Sequence, residues 1–120
     1  MKFILPKPPS VNTYWRHSFR GGFARVYISK EGQDWLEEAG YKLKAQWDKK
    51  LHTSNLTIDI KLYYCGRADV DNFNKALFDL FTKIGVIKDD DQFQSMNIEK
   101  FRVSHRNEEK VEVKITPYSF

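Results

Sequence analysis

Two carboxylates one residue apart, Asp69 and Asp71, are followed further along the chain by three in a row, Asp89, Asp90 and Asp91. At a strand end or in an extended turn, residues two apart face the same side, so both early carboxylates point one way. Magnesium is a hard cation that takes oxygen ligands, commonly one or two carboxylates plus waters and substrate phosphate. A third acid from Asp89 to Asp91 completes such a set if the chain returns to the same place. Bringing like charges within about 4 Å costs on the order of 4 kcal/mol per pair at an effective dielectric near 20, and a bound cation removes that cost. The same acids repel nucleic-acid phosphate unless a metal sits between them. The pattern therefore fits metal-dependent phosphodiester cleavage, in which the metal polarises the phosphate and lowers the pKa of an attacking water. Lys75 follows Asp71 by one helical turn. It is placed either to meet charge developing on a phosphate or to pair with Asp71 or Asp79.

Other uses of paired acids fit less well. An EF-hand loop is excluded, because Phe73 and Asn74 stand where a ligand and the required Gly belong. An aspartyl-phosphate phosphatase places its acids directly after an apolar strand, whereas Gly66-Arg67-Ala68 interrupts the run here. A nucleotide-sugar transferase needs a far longer chain. The plain alternative is that Asp69, Asp71 and Asn72 only shape a turn and cap a helix, with Asp89 to Asp91 a solvated loop. His17, His52 and His105 match no zinc spacing, and the chain contains no Gly-rich phosphate loop.

The elements that must position these acids are legible. Phe73, Ala76, Leu77, Leu80, Phe81 and Ile84 recur at the spacing of one helix face, with Lys75, Asp79, Thr82 and Lys83 opposite. Asp71 or Asn72 is expected to cap this helix, and Gly85 to stop it. Leu56 to Tyr64 alternates as a half-buried strand that leads into Asp69. An earlier helix, capped by Ser29, is expected to run to about Lys50 with Trp35, Leu36, Ala39, Leu43 and Trp47 buried; Gly40 inside it costs about 1 kcal/mol relative to Ala and marks a close packing contact. Lys2 to Leu5 reads as a first strand ended by Pro6, Pro8 and Pro9. Lys7 to Arg25 reads as an extended arm with a turn at Gly21-Gly22. Its Arg16, Arg20 and Arg25 interleave with Tyr14, Trp15, Phe19 and Phe23, which suits either unstacked bases or a covered core. Val26 to Ile28 makes a second short strand. Phe93 to Ser104 and Val111 to Ile115 are expected to form an antiparallel hairpin. The whole predicts one α/β (α+β) domain over residues 1–120, with a mixed sheet of about five strands and two main helices.

Composition narrows the function classes. The chain has 120 residues, a net charge of +4 and 41% hydrophobic residues, with a sequence pI near 9.1. That bias is compatible with nucleic acid. No apolar run approaches the roughly 20 residues of a membrane span. The segment MKFILPKPP is too short and Pro-rich for a signal peptide. Cys65 is the one cysteine, so no internal disulfide forms, and a cytoplasmic setting is expected.

Three segments carry a family resemblance. PPSVNTYWRH (Pro8 to His17), SKEGQDW (Ser29 to Trp35) and, most specifically, DVDNFNKALFDLFTKIGVIKDDDQ (Asp69 to Gln92) resemble the motifs of the RusA family of Holliday junction resolvases, small phage and prophage endonucleases. In the last segment the acids, Asn, Lys, Gly and Gln fall at the family spacing without gaps. The resemblance implies a magnesium-dependent endonuclease, with manganese able to substitute, that resolves four-way branched DNA by paired nicks in recombination and repair. It implies Asp69, Asp71 and Asp90 as metal-binding catalytic carboxylates and Lys75 as a catalytic lysine. It also implies a homodimer with no membrane association. Asn12, Tyr14 and Arg16 in the arm, and Arg67, Asn72 and Lys83 around the acidic helix, are the candidate DNA contacts. One departure is that some members carry several arginines before the first acid, where Tyr64-Cys65-Gly66-Arg67-Ala68 offers only Arg67. A branched-DNA-binding protein with weak or no catalysis, or a less structure-selective metal-dependent nuclease, are the alternatives.

Overall fold

A computed structural model of the chain describes residues 1–10, 14–20, 23–66 and 73–119, with the backbone alone for 15–20 and 23–26. The elements are β1 (Lys2–Leu5), β2 (Trp15–Arg20), β3 (Phe23–Ile28), α1 (Lys30–Gln46), β4 (Leu56–Cys65), α2 (Asn74–Ile84), β5 (Phe93–Val103) and β6 (Lys110–Pro117). Short 3-10 turns at Asp90–Gln92 and Arg106–Glu108 precede the last two strands. Four strands form one mixed sheet in the order β1-β6-β4-β5, and β2 and β3 form a separate two-stranded ribbon. Mixed sheet, two helices and α+β class are as the sequence predicts.

Strand β4 is central because its alternation is the cleanest. Leu56, Ile58, Ile60 and Leu62 are buried, while the residues between them face the other side. The buried face receives both helices. Phe3 of β1 meets Phe81 of α2 at 5.8 Å between ring centroids, and Phe78 meets Phe93 at 5.2 Å. On α1, Trp35, Ala39 and Leu43 are buried, with Leu36 and Trp47 packed at the margin.

The expected β5–β6 hairpin does not form. Instead β5 runs parallel to β4, and β6 inserts between β1 and β4, antiparallel to both. The crossover through α2 carries the chain back to the start of β4, and a strand that follows such a crossover runs parallel. The interior position then goes to β6, whose Val111, Val113 and Ile115 alternate cleanly and are buried.

Two other expectations change in detail. The arm includes an antiparallel ribbon, with Trp15 opposite Ile28 and Arg20 opposite Phe23. Helix α1 ends at Gln46 rather than near Lys50. Asp48 there accepts the backbone N–H of Lys50 at 2.9 Å, and Lys49 takes a positive φ of 66°. A side-chain acceptor of this kind competes with helix continuation.

The N-terminal segment is fastened to the first turn of α1. Ser29 caps the helix by accepting the Gly32 N–H at 3.0 Å, and its own N–H donates to the Tyr14 carbonyl at 2.8 Å. Trp35 Nε1 donates to the Pro6 carbonyl at 2.9 Å. Gly32 is required by this contact: a Cβ there would sit 2.8 Å from Ile28 Cγ2 and 2.9 Å from the Tyr14 ring and carbonyl. Gly40 differs, since a Cβ would meet Ile84 at 3.4 Å and Leu80 at 3.8 Å, which is ordinary contact. We expect Gly40→Ala to stabilise the chain by about 0.5–1 kcal/mol through helix propensity. Gly32→Ala should destabilise it by about 1–3 kcal/mol through overpacking. Chemical denaturation of the two variants beside the parent checks the opposite signs.

Candidate active site

Helix α2 presents a charged outer face. Its apolar stripe of Ala76, Leu77, Phe78, Leu80 and Phe81 is buried, which leaves Lys75, Asp79 and Lys83 in one row on the outside, one turn apart. The N-cap position falls on Phe73, which is buried and makes no side-chain capping bond. That is later than the Asp71 or Asn72 the sequence suggests. Gly85 ends the helix as expected, in the left-handed conformation with φ of 95° and its N–H on the Phe81 carbonyl.

Asp79 is committed. Its Oδ2 accepts the Tyr14 hydroxyl at 2.5 Å and lies 3.6 Å from Lys83 Nζ. Tyr14 is 1% exposed, with its ring edge-on to Trp35. The sequence groups Tyr14 with the candidate DNA contacts. The structure places its ring in the core, where no face is open to a base. Burial, and then the hydrogen bond to Asp79 beside its negative charge, hold the Tyr14 hydroxyl well above the ordinary tyrosine range. Lys75 is exposed. Among the described residues it forms no ion pair, and Asp79, one of its two candidate partners, is held by Tyr14 and Lys83.

The later acids lie on a turn built by Gln92. This side chain is buried and makes four hydrogen bonds. Its Oε1 accepts the backbone N–H of Lys88 at 2.8 Å and of Asp89 at 3.0 Å. Its Nε2 donates to the carbonyls of His52 at 2.8 Å and Ser54 at 2.9 Å. Asp89 and Gln92 form a capping box, and the Asp89 carboxylate also accepts the Asp91 N–H at 3.1 Å. That bond, followed by one shared with the Asp90 carboxyl, pulls the Asp89 carboxylate below its usual range. Asp90 is pushed upward, first by the same hydrogen bond with Asp89, then by partial burial and the negative charges on either side. The turn is thus a rigid cluster of exposed oxygens, with one acid crowded by its neighbours. Oxygen-only donors of this kind fit a hard divalent cation. The sequence reading passed over Gln92 as a structural clamp. The signal present was the Asp-x-x-Gln spacing of a capping box.

Asp69, Asp71, Arg67, Asn72 and Asn12 lie outside the described residues. Arg16 lies on β2 opposite Tyr27. The described chain brackets the first two acids: it leaves β4 after Cys65 and resumes at Phe73. Phe93, just after Asp90, pairs with Leu56 at the start of β4, while Cys65 at its end pairs with Val103. The Asp89–Asp91 turn and Gly66 therefore stand at opposite ends of β4, separated by roughly 30 Å of strand. Among the described residues, no three His, Cys, Asp or Glu side chains form a metal-holding group, and no helix is long and apolar enough to cross a membrane.

Fold and described site define a small α+β domain that carries an acid-bearing turn and a row of lysines on one crossover unit. The family model described as Endodeoxyribonuclease RusA matches residues 6–116, and the chain belongs to that family. It is 36% identical over 102 residues to the crossover junction endodeoxyribonuclease RusA of Escherichia coli K12, covering 83% of this chain and 82% of that one. It is 33% identical over 99 residues to the crossover junction endodeoxyribonuclease rusA of Enterobacteria phage HK97, covering 81% and 79%. Its identity to the RusA of Escherichia coli O139:H28 is 35% over 114 residues, covering 93% and 90%.

The clamp gives a direct test. Gln92→Ala leaves four part-buried backbone groups without their side-chain partner and should cost about 1–3 kcal/mol. Gln92→Glu should lose nearly as much, since a carboxylate cannot donate to the two carbonyls; urea unfolding of both variants measures it. Tyr14 gives a second test, with a definite sign. An unfolded tyrosine ionises near pH ~10, and the folded Tyr14 only above that. Its contribution to stability is therefore complete below pH ~10 and is lost as pH rises further. Ultraviolet titration of the native protein should find one of the six tyrosines silent until the chain unfolds.

Proposed function

We propose that this chain is a metal-dependent endodeoxyribonuclease that resolves four-way DNA junctions by paired, symmetric nicks. It works as a homodimer in the cytoplasm, in DNA recombination and repair. The observation that carries the reading is identity of 33–36% to crossover junction endodeoxyribonucleases over about four-fifths or more of both chains. The matched region includes the whole Asp69–Gln92 segment. Two copies suit the substrate, because a four-way junction has two-fold symmetry and needs two matched cuts.

The residues that would hold the cation are Asp69, Asp71 and Asp90; with Gly66 and the Asp90 turn at opposite ends of β4 in one chain, a shared ion would take Asp90 from one copy of the homodimer and Asp69 and Asp71 from the other. Bound magnesium, or manganese in its place, supplies Lewis-acid polarisation of the phosphate and a water of lowered pKa. The residues of the chain do the rest. Asp89 and Gln92 keep the Asp90 turn rigid before any ligand arrives, so little reorganisation is left to the bound state. Lys75, exposed on the first turn of α2, meets the negative charge that builds on the phosphate. Asp79 is occupied by Tyr14 and Lys83, which keeps it out of the ligand set. The net charge of +4 favours the DNA backbone, and that binding weakens as salt rises.

A synthetic four-way junction and a linear duplex of the same sequence, each with magnesium, test the reading. The junction should be nicked symmetrically and the duplex spared. A chelator should stop cleavage, and magnesium or manganese should restore it. Asp90→Asn should lower cleavage more than about a hundredfold while junction binding persists. Lys75→Ala should cut the rate by roughly a hundredfold with little change in affinity. Equal cutting of both substrates overturns junction selectivity, and no cutting of either overturns the enzyme.

A further inference from the structure

Strand β5 meets a helix at its start, where Phe93 packs on Phe78 of α2, and is exposed from Met96 onward. Among the described residues it is the outer strand of the sheet and pairs with β4 alone. From Met96 to Arg102 every residue is exposed. The register places Met96 beside Ile58 and Ile98 beside Ile60, so both belong to the face that the helices bury elsewhere. Yet Met96 is 52% and Ile98 42% exposed. On the opposite face Phe101 stacks on Tyr63 at 5.2 Å, and Asn97 donates to Asp59 at 2.8 Å, so the strand is held firmly in the sheet. In a ladder with one neighbour, half of a strand's backbone N–H and C=O groups point away from that neighbour. A long edge of this kind, with Met96 and Ile98 exposed on one face, is a template for another strand.

We propose that the free edge of β5 pairs antiparallel with β5 of a second copy of this chain, about a two-fold axis through Ile98, joining two sheets into one. The proposal names the contact surface of the homodimer in the proposed function and rests on that reading for its need of two copies. A second copy is the favoured occupant because the strand is complementary to itself. Ile98 is the middle residue of β5, so this register pairs the strand along its full length. It sets Ile98 against itself, Met96 against Lys100 of the partner subunit, Asn97 against Glu99 of the partner subunit, and Gln94 against Arg102 of the partner subunit. No like charges stand directly opposite. Registers centred on Glu99 or Lys100 would oppose two glutamates or two lysines, and one centred on Phe101 would oppose Lys100 and Arg102. The two Met96 and two Ile98 side chains then form one apolar cluster on the helix side of the joined sheet. Closure about a two-fold axis uses both edges and leaves none to propagate.

Ile98→Cys and Lys100→Cys, each in the full chain, test the register. Directly opposed Cα atoms in an antiparallel pair lie about 4.5–5.5 Å apart, within disulfide range. The two Lys100 positions are offset by four residues, or roughly 13 Å, and are out of range. We expect the parent to sediment as a dimer, Ile98→Cys to give a covalent dimer on mild oxidation, and Lys100→Cys to give none. Ile98→Arg, which places two positive charges on the axis, should sediment as a folded monomer. A monomeric parent leaves the edge to some other occupant and overturns the proposal. So does a dimer in which Ile98→Cys fails to link, or Lys100→Cys links as readily. Junction cleavage is scored separately: a monomer that cuts overturns the interface alone, and a β5-linked dimer that cuts nothing overturns the enzyme alone.

Discussion

The parallel pairing of β4 and β5 is the constraint on which the rest depends. Parallel neighbours cannot be joined by a tight turn; the chain must cross a sheet face and return. Helix α2 makes that crossing, and it stays down because Leu77, Leu80 and Phe81 are almost wholly buried against the sheet and α1. At about 0.8 kcal/mol per buried methylene, this stripe far outweighs any contribution from its capping. Three consequences follow from the one crossing. The row of Lys75, Asp79 and Lys83 faces outward. The Asp89–Asp91 turn is delivered to the start of β4. And β5 is left as the last strand of the sheet among the described residues.

The acidic turn shows how like charges are kept together in the folded chain. Coulomb repulsion favours a splayed loop. It is opposed by short hydrogen bonds that run through the backbone. Gln92 suits the clamp because it both accepts and donates at one side-chain terminus: two N–H groups on one side and two carbonyls on the other are met by one amide. Glutamate has only the accepting half of that chemistry, and leucine neither half. Positioning of the acids is thus assigned to a neutral residue, so that the rigidity of the turn does not depend on a bound ion.

Much of this was legible beforehand, where a local pattern decides the outcome. The stripe of α2, the Ser29 cap, the Gly85 stop and the alternation of β4 each rest on chemistry within a few residues. What was not legible depends on distant parts of the chain. Strand propensity in Phe93 to Ser104 carries no information about its partner, and the crossover chose β4 over β6. The mixed polarity of that segment was the mark of an edge strand rather than of a poor hairpin. The end of α1 depends on Asp48 accepting the Lys50 N–H, a role that residue type alone does not separate from that of any other polar side chain. For the site, residue types revealed the acids, but not the clamp. Gln92 is polar, lies between acids, and earns its burial only through carbonyls at His52 and Ser54 that are far away in sequence.

Tyr14 makes the same point from the other side. Its neighbours Arg16 and Arg20 give it the look of a surface ring, and composition alone cannot tell a base-stacking tyrosine from a core one. The deciding residue is Gly32, whose missing side chain leaves the space that the Tyr14 ring and carbonyl occupy. Once seated there, the hydroxyl needs a partner, and the half-buried Asp79 at the edge of the core provides it. That assignment sorts the acids of the crossover unit. Asp79 is bound into the core by a tyrosine and a lysine, and Asp89 spends an oxygen on the backbone of its own turn. Asp90 is crowded by charge on both sides. A carboxylate whose partners are protein groups of the fold is part of the scaffold, whereas Asp90 is held among acids of its own sign.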